Sequence, residues 1–516
     1  MNYPVWDVSF GAGLLVAIVS ITHVFVSHFA IGGGLFLVLT EHKAYRENDT
    51  NLLAWLKTHT RFFVLVTVVF GAISGVGIWF TIGLTNPSAT SSLIHSFVWG
   101  WAIEWVFFFV EITAALLYMY GWDRVDRKTH LWLGWIYFIA AYLSLVVING
   151  IITYMLTPGA WIDNREFWSG FFNPTYFPSL FIRSAFSFAL AGLYAMVTAS
   201  LIKNLDLKAK VVKWSVIWIV PAFFTLPFFA WWYINNIPQD LWASATGLMP
   251  TATDYTNLIP IFSIITFILA LVTLFMSKKV HFIYTIVMLG CAFVTMWSFE
   301  FIREAVRKPY VITNYMYANG LYYKSMEGDG GFTQDNIDEA GILASANWTK
   351  IKSITPENQI NAGKEIFRVE CQSCHTHTAY RGLQSILQEK QWDAHTVREM
   401  LAGLDLMNNY TMPPFVGTDE EREALAAFLV TLYTTEQKGV ESESGMHVYK
   451  RYCISCHSYN ADNSLFSGIK DLEEEEAIES VANLKDLVDE MPDLRLTENE
   501  QQMLVSWVRE QFNSDN

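Results

Sequence analysis

Up to Arg303 the chain is a succession of long apolar runs separated by short polar connections. A bilayer core about 30 Å thick asks for about 20 apolar residues per helix. Eight runs meet that length: roughly 9–40, 61–84, 96–121, 130–156, 178–203, 211–234, 257–277 and 280–303. After Tyr310 the pattern changes. Residues 311–350 hold Gly320, Gly328, Gly330 and Gly331 and read as a linker or cap. Two polar segments follow, 351–436 and 437–516, each closing on an amphipathic stretch. The pattern predicts an all-α chain: a polytopic membrane helix bundle over 1–310, then two small all-α domains.

Charge adds an orientation. Lys43, Arg46, Lys57 and Arg61 fall in one connection, and Arg124, Arg127 and Lys128 in the next but one. Lys203, Lys208, Lys210 and Lys213, then Lys278 and Lys279, continue the alternation. The intervening connections carry only Arg165. Basic connections stay inside, so both termini are expected outside. Arg303, Arg307 and Lys308 run against this bias and ask for another explanation. Met1 to Asp7 has no basic residue, and the first apolar run is too long for a signal-peptide core. It is expected to remain a span. The net charge of -15 belongs chiefly to the polar tail. That balance disfavours nucleic acid and suits a basic protein partner or water.

Four of the five cysteines form two C-x-x-C-H motifs, Cys371/Cys374/His375 and Cys453/Cys456/His457. Cys291 reads as a small buried apolar side chain, and no disulfide framework is left over. In C-x-x-C-H, two cysteines on one helical turn reach both vinyl groups of a haem, and the histidine meets the iron. Each module then offers a methionine beside proline as sixth ligand: Met412 before Pro413, and Met491 before Pro492. Met400 and Met407 rival Met412, and Met503 rivals Met491. His377, His395 and His447 read as surface residues. The repeat is similar to class I cytochrome c, with two covalent haem c groups expected. Haem c is attached outside the cytoplasm, so motif and charge bias agree. The run Asp471 to Glu476 reads as a solvated face, or else as a dock for a basic cytochrome.

Ionisable groups inside a span ask for a partner or a function. His23 and His28 lie in the first run, about 140° apart round a helix. Glu104 and Glu111 are seven apart in the third, hence on one face. Glu304 ends the last. Such a set suits a haem pocket or a proton path.

These residues carry a resemblance. The stretch His23 to Gly32 with Glu41, the run Ala102-Ile103-Glu104 through Glu111, Gly121-Trp122-Asp123-Arg124, Asn149-Gly150 and Glu304-Ala-Val-Arg307-Lys-Pro309-Tyr310 resemble subunit I of cytochrome bd-type oxygen reductases over residues 10–310. The last is similar to that family's E-x-G-R-Q-P-W. The resemblance implies that His23 and Glu304 ligate haems of a high-spin pair. Glu104 stands at the oxygen-reactive haem, Glu111 serves proton delivery, and Arg307 neutralises haem propionates. Departures are as informative. Arg183 stands where the family has its low-spin haem histidine, and 257–277 offers no clear methionine partner. Residues 235–256 are too short for the quinol-binding loop. The ninth span is absent, and the c modules take its place.

The expected function is therefore the catalytic subunit of a bd-like oxidase. It would take electrons through its c haems and reduce dioxygen to water, with one or two non-covalent haems of b or d type. Expected partners are a bd subunit II-like membrane subunit, a soluble cytochrome c or other periplasmic carrier, and a larger respiratory complex as a further candidate. The setting is a bacterial cytoplasmic membrane with the c modules on the periplasmic side. Quinol oxidation with electron export through haem c, a non-catalytic relay, and nitric oxide as substrate are the alternatives.

Overall fold

The computed structural model describes residues 3–323, 333–408, 410–433, 442–457, 468–469, 472–488 and 491–514. Among the described residues eight helices are long and apolar enough to cross a bilayer: α1 (Ala12–Arg46), α2 (Thr50–Thr85), α3 (Val98–Gly121), α4 (Arg127–Leu156), α5 (Tyr176–Ser200), α6 (Leu205–Ile234), α7 (Pro250–Phe275) and α8 (Phe282–Val306). The chain is a multi-pass membrane protein with the expected number of spans, but several ends move. α2 starts at Thr50 instead of near 61 because the Asp49 side chain accepts the Leu52 N–H at 2.9 Å, which nucleates the helix in polar sequence. α1 continues to Arg46, where Lys43 and Arg46 suit a helix C-terminus. Hydropathy marks where a helix enters lipid, not where its hydrogen bonds begin.

α5 is the centre of the bundle: 72% of its apolar stretch is buried, against 17% for α3 and for α7. It packs on α1, α4, α6 and α8. In lipid such contacts depend on close packing rather than on exclusion of water. Gly32 of α1 shows how close: a Cβ there would sit 1.9 Å from the Ser187 carbonyl of α5.

One end of the bundle is basic and tied by ion pairs. Lys210 holds Glu47 at 2.8 Å and also Asp49, and Lys57 holds Asp123. The C-terminal modules stand at the other end. Gln372 Nε2 donates to the Trp6 carbonyl at 2.5 Å and Arg368 Nη2 to the Val5 carbonyl at 3.1 Å.

After α8 comes an antiparallel pair, β1 (Tyr310–Ile312) and β2 (Met316–Tyr317). Thr313 N–H donates to the Met155 carbonyl at 3.1 Å, and Asn86 Nδ2 to the Ala318 carbonyl at 2.9 Å, so this segment caps the bundle. Gly328, Gly330 and Gly331 lie outside the described residues. Glu421 then takes the N–H groups of Ile342 and Leu343 at 2.8 and 2.9 Å, fastening the end of this segment to the first module.

The first module is built on α9 (Gln359–Glu370), α10 (Leu383–Lys390), α11 (Ala394–Ala402) and α12 (Asp419–Leu429). The second uses α13 (Gly445–Val448), α14 (Glu474–Ala482) and α15 (Glu498–Ser514). The tandem repeat has a shared physical mark. Gly363 and Gly445 each precede their module's first cysteine by eight residues. At both, a Cβ would lie 2.0 Å from a carbonyl of the crossing C-terminal helix, Ala424 or Met503. Asp471 lies outside the described residues, and Glu473 to Glu476 are exposed.

A chain of charges, buried at Arg183, Glu300 and Arg307, joins α5 to α8. Arg183 Nη2 meets Glu300 Oε1 at 2.8 Å, Arg303 bridges Glu300 at 3.1 Å and Glu304 at 2.7 Å, and Arg307 also holds Glu304. Arg183 and Glu300 are only 2% and 3% exposed. Glu300→Gln strands the Arg183 guanidinium, and a broken buried pair costs about 3–5 kcal/mol. The thermal unfolding midpoint of the purified protein is expected to fall, and Arg183→Met in the same chain to restore most of the loss. An unchanged midpoint in the single variant contradicts this.

A second prediction concerns Glu370, outside the membrane. Burial, helped by Glu421 and Asp338, pushes its carboxyl up to about 8 despite a hydrogen bond from Asn319 at 2.9 Å. Between its ordinary 4.5 and about 8 the folded state holds a proton that the unfolded chain has lost. Stability therefore falls as pH rises through that window, by up to about 1.4 kcal/mol per unit, and levels off above it. Glu370→Gln is expected to flatten this slope in unfolding measured across pH.

Candidate functional site

Both C-x-x-C-H motifs fold into the same turn. Cys374 and His375 donate their N–H groups to the Cys371 carbonyl at 3.0 and 2.8 Å; Cys456 and His457 do so to Cys453 at 3.1 and 2.8 Å. All four thiols are free of disulfides. His375 Nδ1 donates to the Arg381 carbonyl at 3.2 Å, which leaves the Nε2 lone pair as the ligand atom. Burial, with Arg381 and Lys308 nearby, holds this imidazole below its usual value. Burial also pushes the Cys371 thiol up, and the Cys453 thiol to about 12. Paired thiols on one turn beside an oriented imidazole fit haem c.

The two modules touch through these turns. Asn408 N–H donates to the carbonyl of Ser455, inside the second motif, at 2.6 Å. Trp392 Nε1 reaches the Arg451 carbonyl at 2.9 Å, and Arg451 Nε the Lys390 carbonyl at 2.9 Å. Cys371, Met412, Tyr452 and Cys456 all border one apolar cluster, in which Met400 and Met407 are buried. Met491 and Pro492 line a cleft of about 240 Å³ with Gly403, Asp405 and Leu406 of the first module. Met503 packs in the second module's own core. Of the histidines read as surface groups, His447 is half-buried, and its Nδ1 accepts the Glu443 N–H at 3.3 Å. His377 packs between Phe367 and Phe428, and His395 bridges the modules to the Asp493 carbonyl at 3.1 Å.

In the bundle, His23 Nδ1 lies 3.1 Å from the Gly71 carbonyl of α2 and 3.1 Å from Ser74 Oγ. A proton on Nδ1 leaves Nε2 to bind iron. His28 is different: its Nε2 accepts from Arg183 at 3.5 Å while Nδ1 donates to the Val24 carbonyl at 2.7 Å. Arg307 is 4% exposed, and its Nε and Nη1 have no partner among the described residues. Buried N–H donors left open this way fit an anionic group such as a haem propionate. The bundle thus offers an imidazole ligand and an anion cradle that fit a haem. Glu304, in contrast, has its carboxylate engaged by Arg303 and Arg307.

The other carboxylates lie on rungs between α3 and α4. Ser144 Oγ donates to Glu104 at 3.0 Å. Tyr137 Oη lies 3.2 Å from Glu111 and 3.0 Å from the Ala30 carbonyl. One step further, His130 Nε2 donates to the Tyr118 carbonyl at 3.0 Å. Glu41, fully buried, joins this third rung: Tyr118 Oη donates to it at 2.6 Å, and His130 Nδ1 lies 2.9 Å away.

Sequence reasoning picks out Glu104 and Glu111 but assigns nothing to Ser144, Tyr137, His130 or Glu300. The signal was present for three of them. His130, Tyr137 and Ser144 repeat every seven residues on α4, as Glu104, Glu111 and Tyr118 do on α3. Glu300 had none, because pairing it with Arg183 depends on tertiary packing.

The family model for cytochrome bd terminal oxidase subunit I matches residues 12–235. That for subunit III of cbb3-type cytochrome c oxidase matches 358–429 and 441–508, one stretch per module. No curated protein matches the chain. Among solved structures, the bd oxidase from Geobacillus thermodenitrificans aligns with a TM-score of 0.50 at 16% identity, over 63% of this chain and 91% of that one. The chain thus joins a membrane domain of the cytochrome bd subunit I family to two cytochrome c domains of the cbb3 subunit III type, and is a membrane respiratory cytochrome.

Proposed function

We propose that the chain is the catalytic subunit of a bd-like oxidase that receives electrons through its c haems and reduces dioxygen to water. The observation that carries this reading is the seating of the first haem-attachment turn on the bundle. Arg368 and Gln372 flank Cys371 and bond to the Val5 and Trp6 carbonyls. Cys374 packs against the membrane-domain core, and Lys308 at the end of α8 lies near His375. That contact favours an electron path into the bundle from the end opposite the basic loops.

Bound haem supplies one-electron transfer and, with an open coordination position, dioxygen chemistry. Cys371, Cys374, His375 and Met412 would hold one haem c; Cys453, Cys456, His457 and Met491 the other. In the bundle His23 would bind iron through Nε2, with Glu104 and Glu304 as carboxylate ligands and Arg307 on a propionate. Glu111 would hand protons toward Glu104. Arg183, which the resemblance aligns with the family's low-spin haem histidine, is paired with Glu300, and this supports entry through haem c over entry from quinol. The reading includes a bd subunit II-like partner beside the exposed apolar faces of α2 and α3, where Ile73 and Trp99 are 68% and 73% exposed. It also includes a soluble cytochrome c or other periplasmic donor, with the c modules on the periplasmic side of a bacterial cytoplasmic membrane.

One observation favours a second reading. The Glu304 carboxylate is already engaged by two guanidinium groups, as suits an electron relay without a reactive pair. The purified, reduced complex decides. The oxidase reading expects a carbon monoxide shift in the bundle haem spectrum and oxygen consumption with reduced cytochrome c. A spectrum blind to carbon monoxide, without oxygen consumption, establishes the relay instead.

Met412→Ala tests the first module separately. Haem c is expected to stay attached while the midpoint potential of that haem falls, because methionine ligation raises it. An unchanged redox titration transfers the ligand to Met400 or Met407.

A further inference from the structure

The rungs between α3 and α4 form a series. Glu104 faces Ser144, Glu111 faces Tyr137 and Tyr118 faces His130. Each step is seven residues on both helices, in opposite directions, as antiparallel packing requires. Seven residues are two turns, about 10 Å of rise. The series runs from the middle of the bundle to the end bearing Asp123, Arg124 and Arg127.

The last rung is built to share a proton. The Tyr118 carbonyl can only accept, so His130 Nε2 carries hydrogen. His130 Nδ1 and Glu41 Oε1, 2.9 Å apart, then need a single proton between them. Glu41 Oε2 accepts from Tyr118 Oη at 2.6 Å. Toward the surface, half-buried Tyr45 approaches Glu41, and exposed Asp123 stands near His130. The middle rung has two settings. Tyr137 Oη gives its one hydrogen either to the Ala30 carbonyl, with Glu111 protonated and donating to Tyr137, or to an ionised Glu111. Between these two rungs lies a cavity of about 10 Å³ bordered by Tyr118, Tyr137, Leu37 and Ala115. That is room for about one water. The walls are apolar, so the cavity passes a water rather than holding one.

We propose that Glu41, His130 and Tyr118 form the entry of a proton path to Glu111. A proton taken from the basic end joins the Glu41–His130 pair. The pair's proton leaves by Tyr118 and the transient water for Tyr137, which reprotonates Glu111 each time Glu111 gives a proton up toward Glu104. This rests on the oxidase reading, in which protons and electrons arrive from opposite ends.

Glu41→Gln is the discriminating variant. The amide keeps both hydrogen bonds, since its oxygen accepts from Tyr118 and its nitrogen donates to His130 Nδ1, but no proton is left to share. The intact complex is reconstituted in vesicles. A pH dye on the basic side follows proton uptake after a single pulse of oxygen, while absorbance follows oxidation of haem c. Uptake is expected to slow tenfold or more in Glu41→Gln and in Tyr118→Phe, with haem content and carbon monoxide binding as in the wild type. The slowed phase should carry a larger solvent isotope effect. Wild-type uptake rates in both variants overturn the entry path and leave the oxidase reading standing. A wild-type complex that consumes oxygen without uptake from the basic side overturns the path as well. A wild-type complex that does not consume oxygen overturns the oxidase reading, and the path with it.

Discussion

A charge or polar group taken into lipid must find a partner within the protein, because no water is there to supply one. That demand organises the membrane part of this chain. It threads α5 and α8 with alternating guanidinium and carboxylate groups, and it sets Glu104, Glu111 and Glu41 against hydroxyl and imidazole partners. The spans around them are held by apolar packing and close glycine crossings, which fix the positions of those polar groups.

Within this frame the two charge systems differ in kind. In the α5–α8 chain Arg183, Arg303 and Arg307 each meet a carboxylate, and Arg307 Nε and Nη1 have no partner among the described residues, at the end nearest the first c module. It behaves as a fixed electrostatic spine. The α3–α4 rungs hold fewer protons than their heteroatoms could bind, so hydrogens there have alternative positions. The first would contribute stability, and the proposed proton path uses the second.

Much of this was legible in the residues. The eight spans follow from run length, and the haem attachment turns from C-x-x-C-H. The glycine crossing at Gly363 and Gly445 gives physical content to the repeat seen in the tail. The helix starts were less legible, because Asp49 and Asp126 begin their helices in polar sequence where hydropathy is silent. The partners of buried charges were least legible. Arg183 was visible as an oddity, yet its meaning depends on Glu300, more than a hundred residues away along the chain and 2.8 Å away in space.

The contact between Gln372 and the Trp6 carbonyl carries a kinetic consequence. The first c module and the bundle belong to one polypeptide and meet there, so their meeting does not depend on dilution or on collision in solution. In the proposed oxidase, diffusional encounter is left to the donor that loads a c module, and ionic strength would govern that loading step while leaving the internal transfer untouched.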